Sequence, residues 1–304
     1  MNFSETERYI KNLFQLNQTI KFNNITYKIL LVGKPTCTSG EPKTDIYLLL
    51  QNLNDNNKCE LKISVKKTNA DFLENKISAK RAQAILGSNW AKIIKDSTES
   101  IKEEFMKKPL IYKEKSGRTN AGSITLGWRF EFVNKDNGAL SSKMKLTLNQ
   151  VIDVYSGSNL PQDKKDAKVN GQVFKNSGVA SSILIGNIED FNSAQDIIDK
   201  IVPIEVYTKN NPDIYFACKA LNYRTFDNKY EGNRPLSVYV DWNVVNNKLT
   251  PTIKFDSPLI TTGKTVVEQL KKSLKQLSIS TTDDINSKNV SSESYVFINK
   301  KKEQ

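Results

Sequence analysis

Two segments decide how this chain is read: Asp45-Ile46-Tyr47-Leu48-Leu49-Leu50 and, after a polar turn, Cys59-Glu60-Leu61-Lys62-Ile63-Ser64-Val65-Lys66. The second alternates without a break. Cys59, Leu61, Ile63 and Val65 fall on one face, and Glu60, Lys62, Ser64 and Lys66 on the other. Successive side chains of an extended strand point to opposite sides, so this is the pattern of a half-buried strand. Residues 45–50 are apolar enough to be its neighbour, and Asn and Asp dominate the turn over 52–58. The pair predicts an antiparallel hairpin.

Around this hairpin the chain alternates helical and extended patterns. Ser4-Glu5-Thr6-Glu7 has the form of a capping box, with Ser4 as N-cap and Glu7 reaching back. Tyr9, Ile10, Leu13 and Phe14 continue it at helical spacing. Residues 19–22 and 25–32 predict strands joined at Asn23-Asn24. After the hairpin, one helix is expected from Asn69 to Gly87, with Phe72, Leu73, Ile77 and Ile85 inward. A second is expected from Ser88 to Pro109. Further along, the patterns predict a strand over 124–133, a short helix over 148–155 and a polar loop over 157–176. A helix over 194–201 comes next, then strands near 204–207 and 215–223. Strands over 235–245 and 249–255 would flank Asn246-Asn247, and an amphipathic helix covers 266–277. Trp128, Trp242 and Phe216 sit in alternating strands and read as core. In the polar tail, 295–298 could add a strand. The expected fold is α/β (α+β), a mixed central sheet flanked by helices. Residues 1–110 would form the core with the hairpin, 111–280 would complete the sheet and supply recognition loops, and 281–304 would be a polar tail.

Composition narrows the chemistry. The 304 residues are 38% hydrophobic, enough for a substantial core, and carry a net charge of +12. A folded chain this basic commonly meets an anion, most often nucleic acid. Lysine-rich usage from an AT-rich genome would also produce that charge. There is no histidine. That excludes Ser-His-Asp and Cys-His catalysis and histidine-ligated zinc. Hydrolysis here must use carboxylates, lysine and a hard metal ion. Cys37, Cys59 and Cys218 are widely spaced, which argues against a disulfide framework and fits a reducing cytoplasm. The N-terminus has neither a basic nor an apolar leader.

Phosphodiester hydrolysis needs a metal ion, oxygen ligands to hold it, and a cation near the attacked phosphate. The hairpin can supply these in two registers. With its turn centred at Asp55-Asn56, Asp45 faces Lys66 and the partner triplet is Ser64-Val65-Lys66. With the centre near Leu53-Asn54, Asp45 faces Lys62 and the triplet is Glu60-Leu61-Lys62. Both keep the alternation, because they differ by an even number of residues. The same alternation also describes an ordinary strand pair with a solvated polar face.

Gly40-Glu41-Pro42-Lys43-Thr44-Asp45-Ile46 followed by Ile63-Ser64-Val65-Lys66 resembles the PD-(D/E)XK nuclease superfamily. More narrowly, it resembles type II restriction endonucleases with a Lys-[Ser/Thr]-Asp-Ile and Ile-Ser-x-Lys signature. The likeness covers about residues 40–90. It implies a Mg²⁺-dependent, sequence-specific DNA endonuclease of restriction-modification systems, and a homodimer would place two symmetric sites for cutting both strands. Asp45 would bind the metal and Lys66 would serve the attacking water. The departure is Ser64, where most members carry an acid. Glu60 is the nearest replacement, as a metal ligand paired with Lys62, and Glu7 and Glu74 are further candidates. Lys43 and Lys67 beside the motifs, with Arg118 and Arg234 in polar loops, are the candidate DNA contacts; Arg118, Arg129, Arg224 and Arg234 could equally be solvated or form ion pairs. Gly263-Lys264-Thr265 lacks the upstream glycine of a phosphate-binding loop and reads as a capped helix start.

Overall fold

The computed structural model describes residues 3–75, 77–294 and 296–298. It has the mixed α and β content expected, with sheets flanked by helices. The chain divides into two compact units. One comprises Met1–Leu73 with Lys145–Asp213, the other Glu74–Met144 with Ile214–Gln304. This division is discontinuous, whereas contiguous segments bounded at 110 and 280 were expected.

The first unit is built on helix α1 (Phe3–Asn12) and strands β1 (Thr19–Phe22), β2 (Ile25–Gly33), β3 (Ile46–Asn52) and β4 (Lys58–Lys66). The four strands form an antiparallel meander. Asn23 and Asn24 both take positive φ, 48° and 63°, the left-handed geometry that lets a two-residue turn follow the sheet twist. The sheet continues with Ser182–Ile185, parallel to β4, and Val202–Pro203 at the edge. A parallel neighbour cannot be reached by a tight turn and needs a crossover. That connection carries the helix Leu148–Ser156, and Glu74–Met144 is inserted ahead of it.

Alternation in β4 sorts its faces as its sequence implies. Leu61, Ile63 and Val65 join Ile46, Leu48 and Leu50 of β3 in one core with Ile10 of α1, Phe14 just beyond it, and Ile197 of the helix Ala194–Lys200. Each such fully buried side chain contributes about 1.5–3 kcal/mol of transfer free energy.

Several local expectations need correction. Helix α1 begins at Phe3, so Ser4 lies inside it rather than capping it, and Glu7 pairs with Lys34. The helix expected from Asn69 starts only at Ala79; Phe72–Glu74 is a strand, and the Ser78 side chain accepts from Arg81 N as the actual cap. The second helix breaks at Ser100-Ile101 into Trp90–Glu99 and Lys102–Met106. Ile204–Asn210, whose start reads as β-prone, is a helix after Pro203, with Ile204 and Thr208 buried on one side. Here packing overrides propensity. The loop over 157–176 holds a short helix and a two-stranded ribbon, Lys168–Val169 with Gln172–Val173.

The second unit has a mainly antiparallel sheet whose central strand, Ser123–Val133, is buried on both faces. It lies between Tyr215–Arg224 and Val238–Val245, and the latter pairs with Lys248–Lys254 across Asn246-Asn247. Trp128, Trp242 and Phe216 are core residues here, with Phe216 stacked on Phe130 at 5.2 Å. Thr262 caps the helix Gly263–Gln276, accepting from Thr265 N. The polar tail is partly structured: Val296–Phe297 pairs with Ile111–Tyr112, while Tyr295 lies outside the described residues. Among the described residues no helix is long and apolar enough to cross a membrane.

Candidate active site

The geometry of the site is set by the β3–β4 turn. Asn52 N donates to Asn57 O at 2.8 Å, and Asn56 N donates to Asn52 O at 2.9 Å. The Asn52 and Asp55 side chains take the amides of Asn54 and Asn57. Asn56 adopts φ 60°, a left-handed conformation that asparagine tolerates better than most residues. The turn is therefore centred between Asn54 and Asp55, midway between the two expected registers. Ile46 pairs with Ile63, which sets Asp45 opposite Ser64. Lys66 becomes the diagonal neighbour on the same face, a separation that a long side chain can bridge.

Asp45 stands one residue ahead of β3, and its amide donates to Ile63 O at 2.9 Å. Its carboxylate turns back onto β4. Oδ2 accepts from Val65 N at 2.7 Å and from Ser64 Oγ at 3.4 Å. Oδ1 accepts no hydrogen bond from the described residues, and Lys66 makes no direct ion pair with this carboxylate. Burial pushes the Asp45 carboxyl up to about 6. Lys66 opposes that rise, as do the Val65 amide and Lys34, while Glu7 adds to it. Four charged side chains thus gather at one end of the sheet.

Glu7 and Lys34 arrive there for topological reasons. Antiparallel pairing puts the end of β2 beside the start of β3, with Gly33 opposite Tyr47. Lys34 follows directly and pairs with Glu7 of α1 at 2.5 Å. Burial works against the Lys34 ammonium, yet the Glu7 carboxylate holds its pKa above the ordinary value. Gly33 permits a close approach at this point: a Cβ there would lie 2.5 Å from Val169 Cγ1. Lys34 was not among the expected site residues. The signal was present in the meander itself, which joins the end of one strand to the start of the next.

The other candidates fall elsewhere. Glu60 faces Leu49 rather than Asp45; it accepts from Tyr47 Oη at 2.6 Å and pairs with Lys62 at 3.6 Å. Tyr47 is buried against Phe174, and burial followed by the Glu60 hydrogen bond drives its phenol well above the usual range. Lys62 is opposite Tyr47, so the Glu60-Leu61-Lys62 triplet does not face Asp45. Glu74 lies on a strand rather than a helix, belongs to the second unit, and is held by Arg81 at 2.8 and 3.0 Å. Lys43 Nζ donates to Leu73 O at 3.0 Å, and Lys67 is half-buried. Arg118, exposed in the turn closed by Ser116 and Thr119, and Arg234, whose carbonyl accepts from Gly263 N, are both in the second unit. Arg224 pairs with Asp227 at 3.5 Å, and Arg129 approaches Glu131 at 3.9 Å.

Among the described residues no group of three or more Asp, Glu, Cys or His side chains is arranged to hold a metal ion. The oxygen donors at this sheet end are the Asp45 and Glu7 carboxylates and the Ser64 hydroxyl. No family model, curated protein or solved structure matches this chain.

Proposed function

We propose that this chain is a Mg²⁺-dependent DNA endonuclease, with its active site where Asp45, Ser64, Lys66, Glu7 and Lys34 meet. The observation that carries the proposal is the Asp45 carboxylate, anchored through one oxygen while the other has no hydrogen-bond partner among the described residues, with Lys66 on the same face two residues past Ser64.

This donor set suits magnesium. The ion takes hard oxygen ligands, keeps several waters, and is commonly held by only one or two protein carboxylates. Asp45 would hold it through Oδ1, with Glu7 as the second acid. Magnesium would polarise the phosphate and lower the pKa of a bound water. Ser64 Oγ and Val65 N fix the Asp45 carboxylate in position. Lys66 stabilises negative charge developing at the attacked phosphate. Glu7 here takes the part first given to Glu60. The resemblance to restriction endonucleases extends the proposal to sequence-specific cleavage of duplex DNA by a homodimer in the cytoplasm. Lys43, Lys67, Arg118 and Arg234 remain its candidate DNA contacts.

A second reading, a DNA-binding protein without cleavage, draws support from Ser64 in the usual place of an acid. Incubating plasmid DNA with Mg²⁺ and the wild type, Asp45→Ala or Lys66→Ala separates the two. Discrete fragments from the wild type alone support the nuclease. Cleavage by both variants would defeat this site assignment, and binding without cleavage by any of the three would favour the second reading.

A further inference from the structure

We propose that the cleft at the C-terminal end of the helix Gly263–Gln276 holds a phosphate of a nucleic-acid backbone. It deepens the reading above by naming where the backbone is gripped. It rests on a nucleic-acid partner and not on cleavage. The cleft has a volume of about 330 Å³, a floor of Leu274 and Ile279, and a wall formed by Tyr223. Lys271 and Lys275 stand over it, and Ser278 and Ser280 line its rim.

Three features point to an anion. First, the lysines there have no carboxylate partner among the described residues. The only acid of this helix, Glu268, is paired with Lys264 at 4.0 Å, while Lys271, Lys272 and Lys275 are exposed and have no carboxylate partner among the described residues. Lysine in a last turn already complements the helix dipole, so charge alone would leave these side chains extended into water. Lys271 instead lies over the Tyr223 ring, its Nζ 5.0 Å from the centroid, which fixes a cation at the wall of the cleft.

Second, the helix ends in a Schellman motif built on the wrong residue. Ile279 N donates to Leu274 O, and Ser278 N to Lys275 O. The residue between them, Ser278, has φ 55°. Glycine is the ordinary choice there, because an L side chain is strained in that conformation. Third, the hydroxyls of Ser278 and Ser280 have no hydrogen-bond partner among the described residues, so both are open to a ligand oxygen. The Asp284 carboxylate is engaged by the amides of Ser280 and Thr281. Two ammonium groups and two hydroxyls around a concave floor match a tetrahedral phosphodiester.

The test measures binding of labelled duplex DNA to full-length protein by fluorescence anisotropy, in EDTA and across a salt series. The double substitution Lys271→Ala with Lys275→Ala is expected to weaken binding about tenfold and to reduce the log–log salt slope by about one to two. Ser278→Gly is expected to weaken binding about threefold while leaving the melting temperature unchanged or higher, because glycine suits the left-handed position. A charge-matched control, Lys92→Ala with Lys95→Ala on an exposed helix face, is expected to bind like wild type. Equal losses in the control, or wild-type affinity and slope in both cleft variants, would overturn the proposal. A reduced slope in the double variant supports the cleft even when Mg²⁺ leaves plasmid uncut, which separates this inference from the catalytic one.

Discussion

Replacing Asp45 with asparagine tests the electrostatic heart of the site without needing a substrate. In metal-free protein the Asp45 carboxyl titrates near 6, against 3.8 for a free aspartate. The folded state therefore prefers the neutral acid. Below pH 3.8 both states hold the proton and the group costs nothing. As pH rises from about 4 to 6 the unfolded chain ionises first, so folding stability falls, and above 6 the full cost remains. A difference of about two pKa units corresponds to about 3 kcal/mol. Asp45→Asn removes this titration. Urea denaturation in EDTA, compared at matched pH, should show the variant equal to wild type near pH 4 and more stable by up to about 3 kcal/mol at pH 7.5. Adding Mg²⁺ should recover stability in wild type only, since an ion that binds the folded state shifts the equilibrium by mass action. Parallel profiles, with a stability difference independent of pH, would mean that the carboxylate is not enclosed as described, and the argument for the site would fall with it.

Other substitutions probe the neighbours. Lys66→Ala removes the largest opposing influence on Asp45, so the midpoint of that pH profile should move up. Cleavage should drop by about 10²-fold or more, read from plasmid nicking rates. Glu7→Gln removes a like charge and should move the midpoint down while weakening Mg²⁺ stabilisation; an unchanged Mg²⁺ titration would remove Glu7 from the ligand set. Asn56→Ala, at φ 60°, should cost about 1 kcal/mol and Asn56→Gly far less, by thermal melts. Leu48→Ala, in the fully buried core of the first unit, should cost about 2–5 kcal/mol, and a loss below 1 would contradict its packing.

Much of this architecture was legible because it follows from short-range chemistry. Period-two alternation in 59–66, Asn-Asn turns and capping residues depend on a residue and its immediate neighbours. They located the strand pairs over 19–32 and 45–66, the short helix over 148–155, and the hairpin across Asn246-Asn247. The same alternation placed Ser64 and Lys66 on one face, and either expected register set Asp45 on it too. Local rules failed where a distant partner decided. Phe72–Glu74 and Ile204–Asn210 exchanged helix for strand, and strand for helix, because packing outweighs the small differences in propensity.

The sequence by itself determined the hairpin, its two faces and the residue types able to perform hydrolysis without histidine. Only the tertiary structure decided the register, because a four-residue turn with Asn56 in the left-handed region centres the pairing between the two alternatives that parity allowed. It also decided which acid stands near Asp45. Glu60 is closer in sequence but is turned to Tyr47, whereas Glu7 and Lys34 arrive from a helix and a strand end that share no local pattern with the motif. A strand's period fixes which side a residue faces; its neighbours across space are fixed by how the chain closes on itself.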